Sequence, residues 1–336
     1  MTTLLVANDG GHLMQLHTLR PRLSLGEEVV WVTPRTPQTE SLLAGEQVHW
    51  TLPCPPRDAR AVARNTLACR SLFRDHDVSL VVSTGAALAL AVLPQARLRG
   101  IETVYIESAT RFDVPSLSGR ALALVPGVTT FSQSSALTRG RWRYLASPWE
   151  LYDSAPTASR PIRSMVVSLG TQGDYGFRRL LDRLVPLVPP GADVLWQTGG
   201  TDTAGLGIDA RERVPSEEMA AAIRAADVVV AHAGTGIALM ALENGKLPIL
   251  VPRRAMHGEH VDDHQLTIAL ELSLRDLCIS RDADSLRERD LVAAASRTVT
   301  KVTDPPQLRI TSVPLPRPRT SGSVAATAVA ATAARV

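Results

Sequence analysis

The chain has 336 residues, 45% of them hydrophobic, enough to bury two cores and therefore to form two domains. A formal net charge of +3 gives no case for bulk nucleic-acid binding, so no nucleic-acid partner is expected. Three widely spaced cysteines, Cys54, Cys69 and Cys278, show neither a Cys-x-x-Cys pair nor a zinc spacing and read as reduced thiols of a cytoplasmic protein.

Met1-Thr2-Thr3 runs straight into an apolar strand, so no signal peptide is expected. The longest apolar stretch, 78–93, is interrupted by Ser83, Thr84 and Gly85 and is shorter than the roughly 20 residues that span a bilayer. The protein is therefore expected to be soluble or peripheral on a membrane.

Residues 3–7 read as a buried strand. Asn8-Asp9-Gly10-Gly11-His12 then turns into a helix reaching about residue 23, with Leu13, Leu16 and Leu19 inward. His12 either caps that helix or faces a cleft as a base; an ordinary imidazole pKa of about 6.5 suits proton transfer. Asp9 reads as a solvated turn residue. Strands follow at 29–33 and 48–52, then a helix over 59–73 whose arginines form a solvated face. A strand at 78–82 ends in Ser83-Thr84-Gly85, a helix covers 86–93, and a strand at 102–106 ends in Glu107-Ser108. These strand ends carry small or polar residues, as the binding edge of a parallel sheet does. Arg111 and Arg120 are either surface arginines or partners for a diphosphate. Arg139, Arg141, Trp142, Arg143 and Tyr144 form a basic, aromatic cluster that suits an anionic leaflet or an inter-domain face.

Residues 148–162, with Pro148, Pro156 and Pro161, read as the linker between a first domain, 1–147, and a second, 163–302. The second domain repeats the plan. A strand at 165–169 meets the turn Gly170-Thr171-Gln172-Gly173, and a helix follows over 176–187. After a strand at 194–197, the glycine-rich 198–209 lacks the Lys-Ser/Thr of a phosphate loop. Ser216 is placed to cap the next helix, with Glu217 and Glu218 in its first turn. A strand at 228–231 then enters His232-Ala233-Gly234-Thr235-Gly236, a helix over 237–243 and a strand at 248–251. Asn244-Gly245 stops that helix. Free N–H groups at its start make a place for phosphate.

Three histidines (His257, His260, His264) and three carboxylates (Glu259, Asp262, Asp263) then fall within nine residues. Asp262 reads as the cap of a helix over 264–272, which leaves His257 and His260 in the preceding loop, so no metal site is expected. A last helix is expected over 282–297, and the Pro-, Thr- and Ala-rich 303–336 reads as a disordered tail.

His-Ala-Gly-Thr-Gly at 232–236, Ala-Leu-Glu-Asn-Gly-Lys-Leu-Pro-Ile-Leu-Val-Pro at 241–252 and Asp-Asp-His-Gln-Leu at 262–266 together resemble the nucleotide-sugar half of GT-B glycosyltransferases. The likeness is to the MurG and Alg13/Alg14 (family 28) type, near the bacterial exopolysaccharide glycosyltransferases. It implies an α/β protein of two Rossmann-like, doubly wound domains facing a cleft. It implies a UDP-sugar donor in the second domain, a lipid-linked or saccharide acceptor in the first, and hexosyl transfer without metal or cofactor. Donor contacts would come from Gly170, Thr171, Gln172, His232, Gly234, Thr235, Gly236, Arg253, Asp263, His264 and Gln265, with uracil near 214–219. Acceptor contacts would come from Gly10, Gly11, Ser83, Thr84, Gly85, Glu107 and Arg111, with His12 as base.

The chain departs from that pattern at two places. Five and eight residues after the strand-end His the family has Ser or Thr and then Glu; this chain has Ile237 and Met240. Glu243, one helical turn on, is expected to take over the ribose hydroxyls. The rival enzyme on this plan is a UDP-sugar 2-epimerase, which needs cleft carboxylates, with Glu107 and Asp9 the candidates. A non-catalytic nucleotide-sugar-binding or recruiting subunit is the other rival, favoured by Met240.

Overall fold

Runs of apolar, β-branched residues become the central strands of two parallel sheets, each covered on both faces by helices. The computed structural model of the chain describes residues 1–25, 28–158, 160–171 and 175–310. In the first lobe β1 (Thr2–Ala7), β2 (Glu28–Pro34), β3 (Val48–Thr51), β4 (Val78–Gly85), β5 (Glu102–Ile106), β6 (Val128–Ser132) and β7 (Trp142–Tyr144) lie in the order β3-β2-β1-β4-β5-β6-β7. Leu4 and Val6 pack with Leu88 and Val92 on one face, and Leu5 and Ala7 with Leu13, Leu16 and Leu19 on the other. This is the two-residue alternation of a strand buried on both sides. The connecting helices are α1 (Gly11–Leu19), α2 (Pro37–Leu42), α3 (Ala59–Ala68), α4 (Leu72–Asp75), α5 (Ala87–Leu98) and α6 (Leu117–Leu124).

After β8 (Tyr152–Pro156), the second lobe runs β9 (Ser164–Ser168), α7 (Arg178–Leu184), β10 (Asp193–Gln197), β11 (Ala210–Arg211), α8 (Ser216–Ala225), β12 (Val228–His232) and α9 (Thr235–Glu243). It continues through β13 (Ile249–Val251), α10 (His264–Leu274), β14 (Ile279–Ser280), α11 (Glu288–Ala295) and β15 (Arg297–Lys301). Its sheet has the order β11-β10-β9-β12-β13-β14. Both sheets reverse direction of winding at their centre, between β1 and β4 and between β9 and β12. Connections leave such a switch point on opposite faces and open a crevice beyond the strand ends. The lobes meet through α1 against α9 and α2 against α8.

Several expectations give way to longer-range pairing. The expected linker contains β8, which pairs antiparallel with β15, Tyr152 opposite Lys301 and Ser154 opposite Val299. Its partner lies at the far end of the second lobe, so no local pattern announces it. The helix expected over 59–73 is two helices, α3 and α4. The one expected over 282–297 is a single 3-10 turn, then Leu286 in an extended conformation, then α11. The chain beyond 303 is ordered as far as it is described: Leu308 and Ile310 are buried in the first-lobe core. The remainder of the expected tail, 311–336, lies outside the described residues. The basic, aromatic cluster at 139–144 is split by an edge strand. Trp142 packs edge-on to Tyr105, centroids 6.0 Å apart, while Arg139, Arg141 and Arg143 stay exposed. Among the described residues no helix is long and apolar enough to cross a membrane.

Candidate active site

Each switch point carries a histidine tied to the neighbouring central strand. In the first lobe the chain leaves β1, turns at Gly10 (φ 75°) and starts α1 at Gly11. His12 Nδ1 donates to the carbonyl of Thr84 at 2.8 Å, and Thr84 Oγ1 donates back to the carbonyl of His12 at 2.7 Å. The β1–β4 register skips at this point, with Val6 opposite Ser83 and Ala7 opposite Gly85, so a bulge aims Thr84 at the histidine. With Nδ1 donating, Nε2 is the bare nitrogen. Burial lowers the His12 pKa against the opposing pull of the Thr84 carbonyl, so the ring is neutral at pH 7.

In the second lobe His232 ends β12, and its Nδ1 donates to the carbonyl of Ser168, the last residue of β9, at 3.3 Å. Burial, and then the nearby charge of Arg253, push its pKa down to about 3. The ring is seated against glycine backbone. A Cβ on Gly234 would fall 2.2 Å from Nε2, and one on Gly170 would fall 2.9 Å from Cε1.

The two glycine turns converge across the lobes. A Cβ on Gly11 would stand 2.5 Å from Thr235 Oγ1, and one on Gly236 would stand 3.4 Å from Gly11 Cα. Both α1 and α9 begin at a glycine, Gly10 and Gly234, with no side-chain cap and no acidic residue in the first turn. Two positive helix ends therefore point into one junction, an arrangement that favours an anion. Alongside it a cavity of about 240 Å³ is lined by Thr110, Arg111, Phe112, Asp113 and Val114 from the first lobe and by Asp262, Asp263, His264 and Thr267 from the second.

Gln15 was not singled out by the sequence, yet it holds this junction. It is buried; its Nε2 donates to Ser108 Oγ (3.3 Å) and Thr235 Oγ1 (3.4 Å), and its Oε1 accepts from Ala109 N (2.9 Å) and Gln133 Nε2 (2.8 Å). The available signal was a lone amide on the apolar face of α1, one turn before Leu19. Ser216 does not cap α8. Its Oγ donates to the carbonyl of Gln38 at 3.1 Å, and Glu217 N donates to Ser41 Oγ at 2.8 Å, so the start of α8 is fastened to the first lobe instead.

Residues 166–302 match the glycosyltransferase family 28 C-terminal domain. The chain is a glycosyltransferase of GT-B fold whose second lobe carries that domain. The glycosyltransferase is 25% identical over 290 residues to the UDP-N-acetylglucosamine–N-acetylmuramyl-(pentapeptide) pyrophosphoryl-undecaprenol N-acetylglucosamine transferase of Synechococcus sp. (strain CC9902), covering 78% of this chain and 79% of that one. Over 72 residues, 21% of this chain and 35% of the other, it is 39% identical to the UDP-N-acetylglucosamine transferase subunit ALG13 of Yarrowia lipolytica. In fold it is similar to MurG of Acinetobacter baumannii, with a TM-score of 0.53 at 17% identity over 87% of this chain and 89% of that one.

Around this junction the glycosyltransferase gathers Gly10, Gly11, His12, Gly85, Gly170, His232, Gly234, Thr235 and Gly236, and places Arg111, Asp263 and His264 on the adjoining cavity. Thr171 stands beside Gly170, its carbonyl accepting from Arg213 Nη2 at 3.4 Å. Gln172 lies outside the described residues. Other expected contacts are committed to the fold. Ser83 and Thr84 are fully buried, Ser83 Oγ accepting from Gly85 N at 3.1 Å. Glu107 is fully buried and accepts from Tyr105 Oη (3.2 Å), Ser108 N (3.0 Å), Ser116 N (2.9 Å) and Ser116 Oγ (3.0 Å). That leaves it neither an acceptor contact nor an acid–base carboxylate for an epimerase.

Arg253 is 1% exposed and, among the described residues, donates to backbone carbonyls alone, so it braces loops and does not face a diphosphate. Gln265 is buried and accepts from Arg253 N at 3.0 Å. Glu243 ends α9 at the opposite pole from Thr235. It accepts from Tyr152 Oη at 2.5 Å and pairs with Lys301, which removes it from the ribose position expected of it. Three side chains of types that can ligate a metal, His260, Asp262 and His264, stand together where the chain enters α10, their nearest ligand atoms within 4.8 Å of one another.

Proposed function

We propose that the chain moves a hexose-type sugar from a UDP-sugar to a hydroxyl of a lipid-linked or saccharide acceptor, with no metal in the chemical step. The observation that carries this reading is the meeting of two uncapped helix starts, α1 and α9, at glycines packed within contact of each other across the lobes. The diphosphate sits at the start of α9, beside Gly170, Thr171, His232, Gly234, Thr235 and Gly236, where helix N–H groups neutralise its charge. The sugar points to the cavity and meets Asp263 and His264. The acceptor enters over Gly10, Gly11, Gly85 and Arg111, from the 1–147 lobe. His12 Nε2 takes the proton of the attacking hydroxyl; the hydroxyl oxygen bonds to the anomeric carbon as its bond to the diphosphate breaks, and UDP leaves. The names of the curated relatives support a UDP-sugar donor and a polyprenyl-linked acceptor.

An acceptor of that kind is delivered from a membrane surface. Val114, Leu117 and Leu124 are exposed in this lobe, as are Arg120 and Arg143, which suits peripheral contact with an anionic leaflet. The test is UDP release from a panel of UDP-sugars, with and without anionic liposomes carrying extracted lipid. Release that depends on the liposomes is expected. His12→Ala should lower turnover at least about 100-fold, the size of a lost general base, with UDP affinity intact. Full turnover in His12→Ala removes the base from this reading, and release of nothing from any UDP-sugar removes the donor.

A further inference from the structure

The loop between β13 and α10 carries a set of side chains that the transfer reaction does not use as a set. His260, Asp262 and His264 each offer a ligand atom, and those atoms lie within 4.8 Å of one another. Asp262 Oδ1 is the centre of the group: His264 Nδ1 is in contact with it, and His260 Nδ1 stands 3.5 Å away. His260 Nδ1 accepts from the backbone N–H of Asp262 at 3.4 Å, so it is the unprotonated nitrogen of that ring. The two imidazoles meet edge to face with centroids 4.7 Å apart, and Tyr175 stacks on the outer face of His260 at 5.7 Å.

The spacing is that of a ligand set. Ligands held at about 2.0 Å from a tetrahedral ion stand roughly 3.3 Å apart. The three ligand atoms here lie within 4.8 Å of one another, so small movements separate them from that spacing. We propose that His260, Asp262 and His264 form a binding site for a borderline divalent transition metal of the zinc and cobalt class. Two nitrogens and one carboxylate oxygen suit such ions, whereas magnesium and calcium take all-oxygen shells. Three protein ligands leave a fourth position open. Asp262 and His264 line the inter-lobe cavity together with Arg111 and Asp113 of the first lobe. All three cysteines are buried, so thiols do not compete for the ion.

The test uses the full chain without an affinity tag, titrated with cobalt(II) and followed by its visible absorption. One ion per chain is expected, with zinc displacing it. His260→Ala and Asp262→Asn should each weaken binding about 100-fold or more, beyond the 10–100-fold that losing an outer partner costs. His257→Ala, which removes an exposed histidine of the same loop, should leave binding unchanged. On the unsubstituted chain loaded with zinc, X-ray absorption should show two imidazoles, light-atom ligands otherwise, and no sulfur. That measurement holds even where a variant fails to fold. No cobalt bound at millimolar concentration, binding indifferent to His260→Ala and Asp262→Asn in folded protein, or a spectrum with sulfur would each overturn the assignment. Because the titration needs no donor or acceptor, its outcome is separate from that of the transfer reading.

Discussion

Arg253 donates to the carbonyls of Leu169 (2.5 Å), Tyr175 (3.0 Å) and Glu259 (3.4 Å), and its guanidinium lies 5.6 Å over the ring of Phe177. Burial lowers its pKa to about 10, so it still carries its charge at pH 7, inside the second lobe. Removing it strands three carbonyls in an apolar setting, and one orphaned buried group alone costs about 1–3 kcal/mol. Arg253→Met should therefore lower the unfolding free energy by roughly 3 kcal/mol or more in urea titration, while UDP measured on the folded fraction binds with unchanged affinity. The opposite pattern, full stability with weakened UDP, would put the guanidinium back on the diphosphate. The residue also marks the limit of what the sequence discloses. His12 and His232 were legible because a strand, a glycine turn and a histidine are adjacent in sequence, and the turn itself fixes where the ring goes. Arg253, Gln265, Glu107 and Glu243 carry equally suggestive side chains. Their partners come from other elements, and only the fold decides that backbone groups or a tyrosine claim them first.

At the scale of elements, α1 and α9 are joined by a contact only glycine permits. Gly11 does not have a positive φ, so its lack of a side chain serves approach and not backbone conformation. The atom a new Cβ would strike is Thr235 Oγ1, at 2.5 Å; the next nearest, Gly236 N, is at 3.5 Å, an ordinary contact. The clash therefore resides in one hydroxyl. Gly11→Ala should cost about 1–3 kcal/mol, the usual size of overpacking. In a Thr235→Ala background the same substitution should cost at least about 1 kcal/mol less, a coupling expected only of residues in contact. Thermal or urea unfolding of the four proteins gives the cycle directly; simple additivity would show that Gly11 and Thr235 are not in contact. The strands of both sheet centres were readable from apolar runs. The short edge strands β7, β11 and β14 were not, because two or three residues hold no periodicity. The β8–β15 pair was hidden for a different reason, its partners lying at opposite ends of the second lobe.

The whole molecule is tied together at that pair. The chain passes into the second lobe along β8 and leaves it along β15, so the two crossings lie side by side as one antiparallel ribbon. Tyr152 on one strand and Lys301 on the other both hold Glu243, at the far end of the helix whose start faces the cleft. Nine residues at about 1.5 Å each make α9 a strut of roughly 13 Å from joint to junction. Past β15 the chain returns to the first lobe: Leu308 N donates to the carbonyl of Arg22 at 2.7 Å, Arg22 Nε donates to the carbonyl of Pro306 at 3.0 Å, and Leu308 and Ile310 join the core beside Leu19, Leu23 and Trp31. Full burial of one such aliphatic side chain is worth about 1.5–3 kcal/mol. Ending the chain after Asp304 removes both. Amide exchange in β1 and α1 should then quicken by about 100-fold, which corresponds to roughly 3 kcal/mol of lost protection. Exchange in β9 and β12, whose cores include neither Leu308 nor Ile310, should stay as it was. Equal acceleration in both lobes would mean that they open as one unit and that the ribbon, not the returning segment, sets their stability; no change in either would mean that Leu308 and Ile310 cover the first lobe without supporting it.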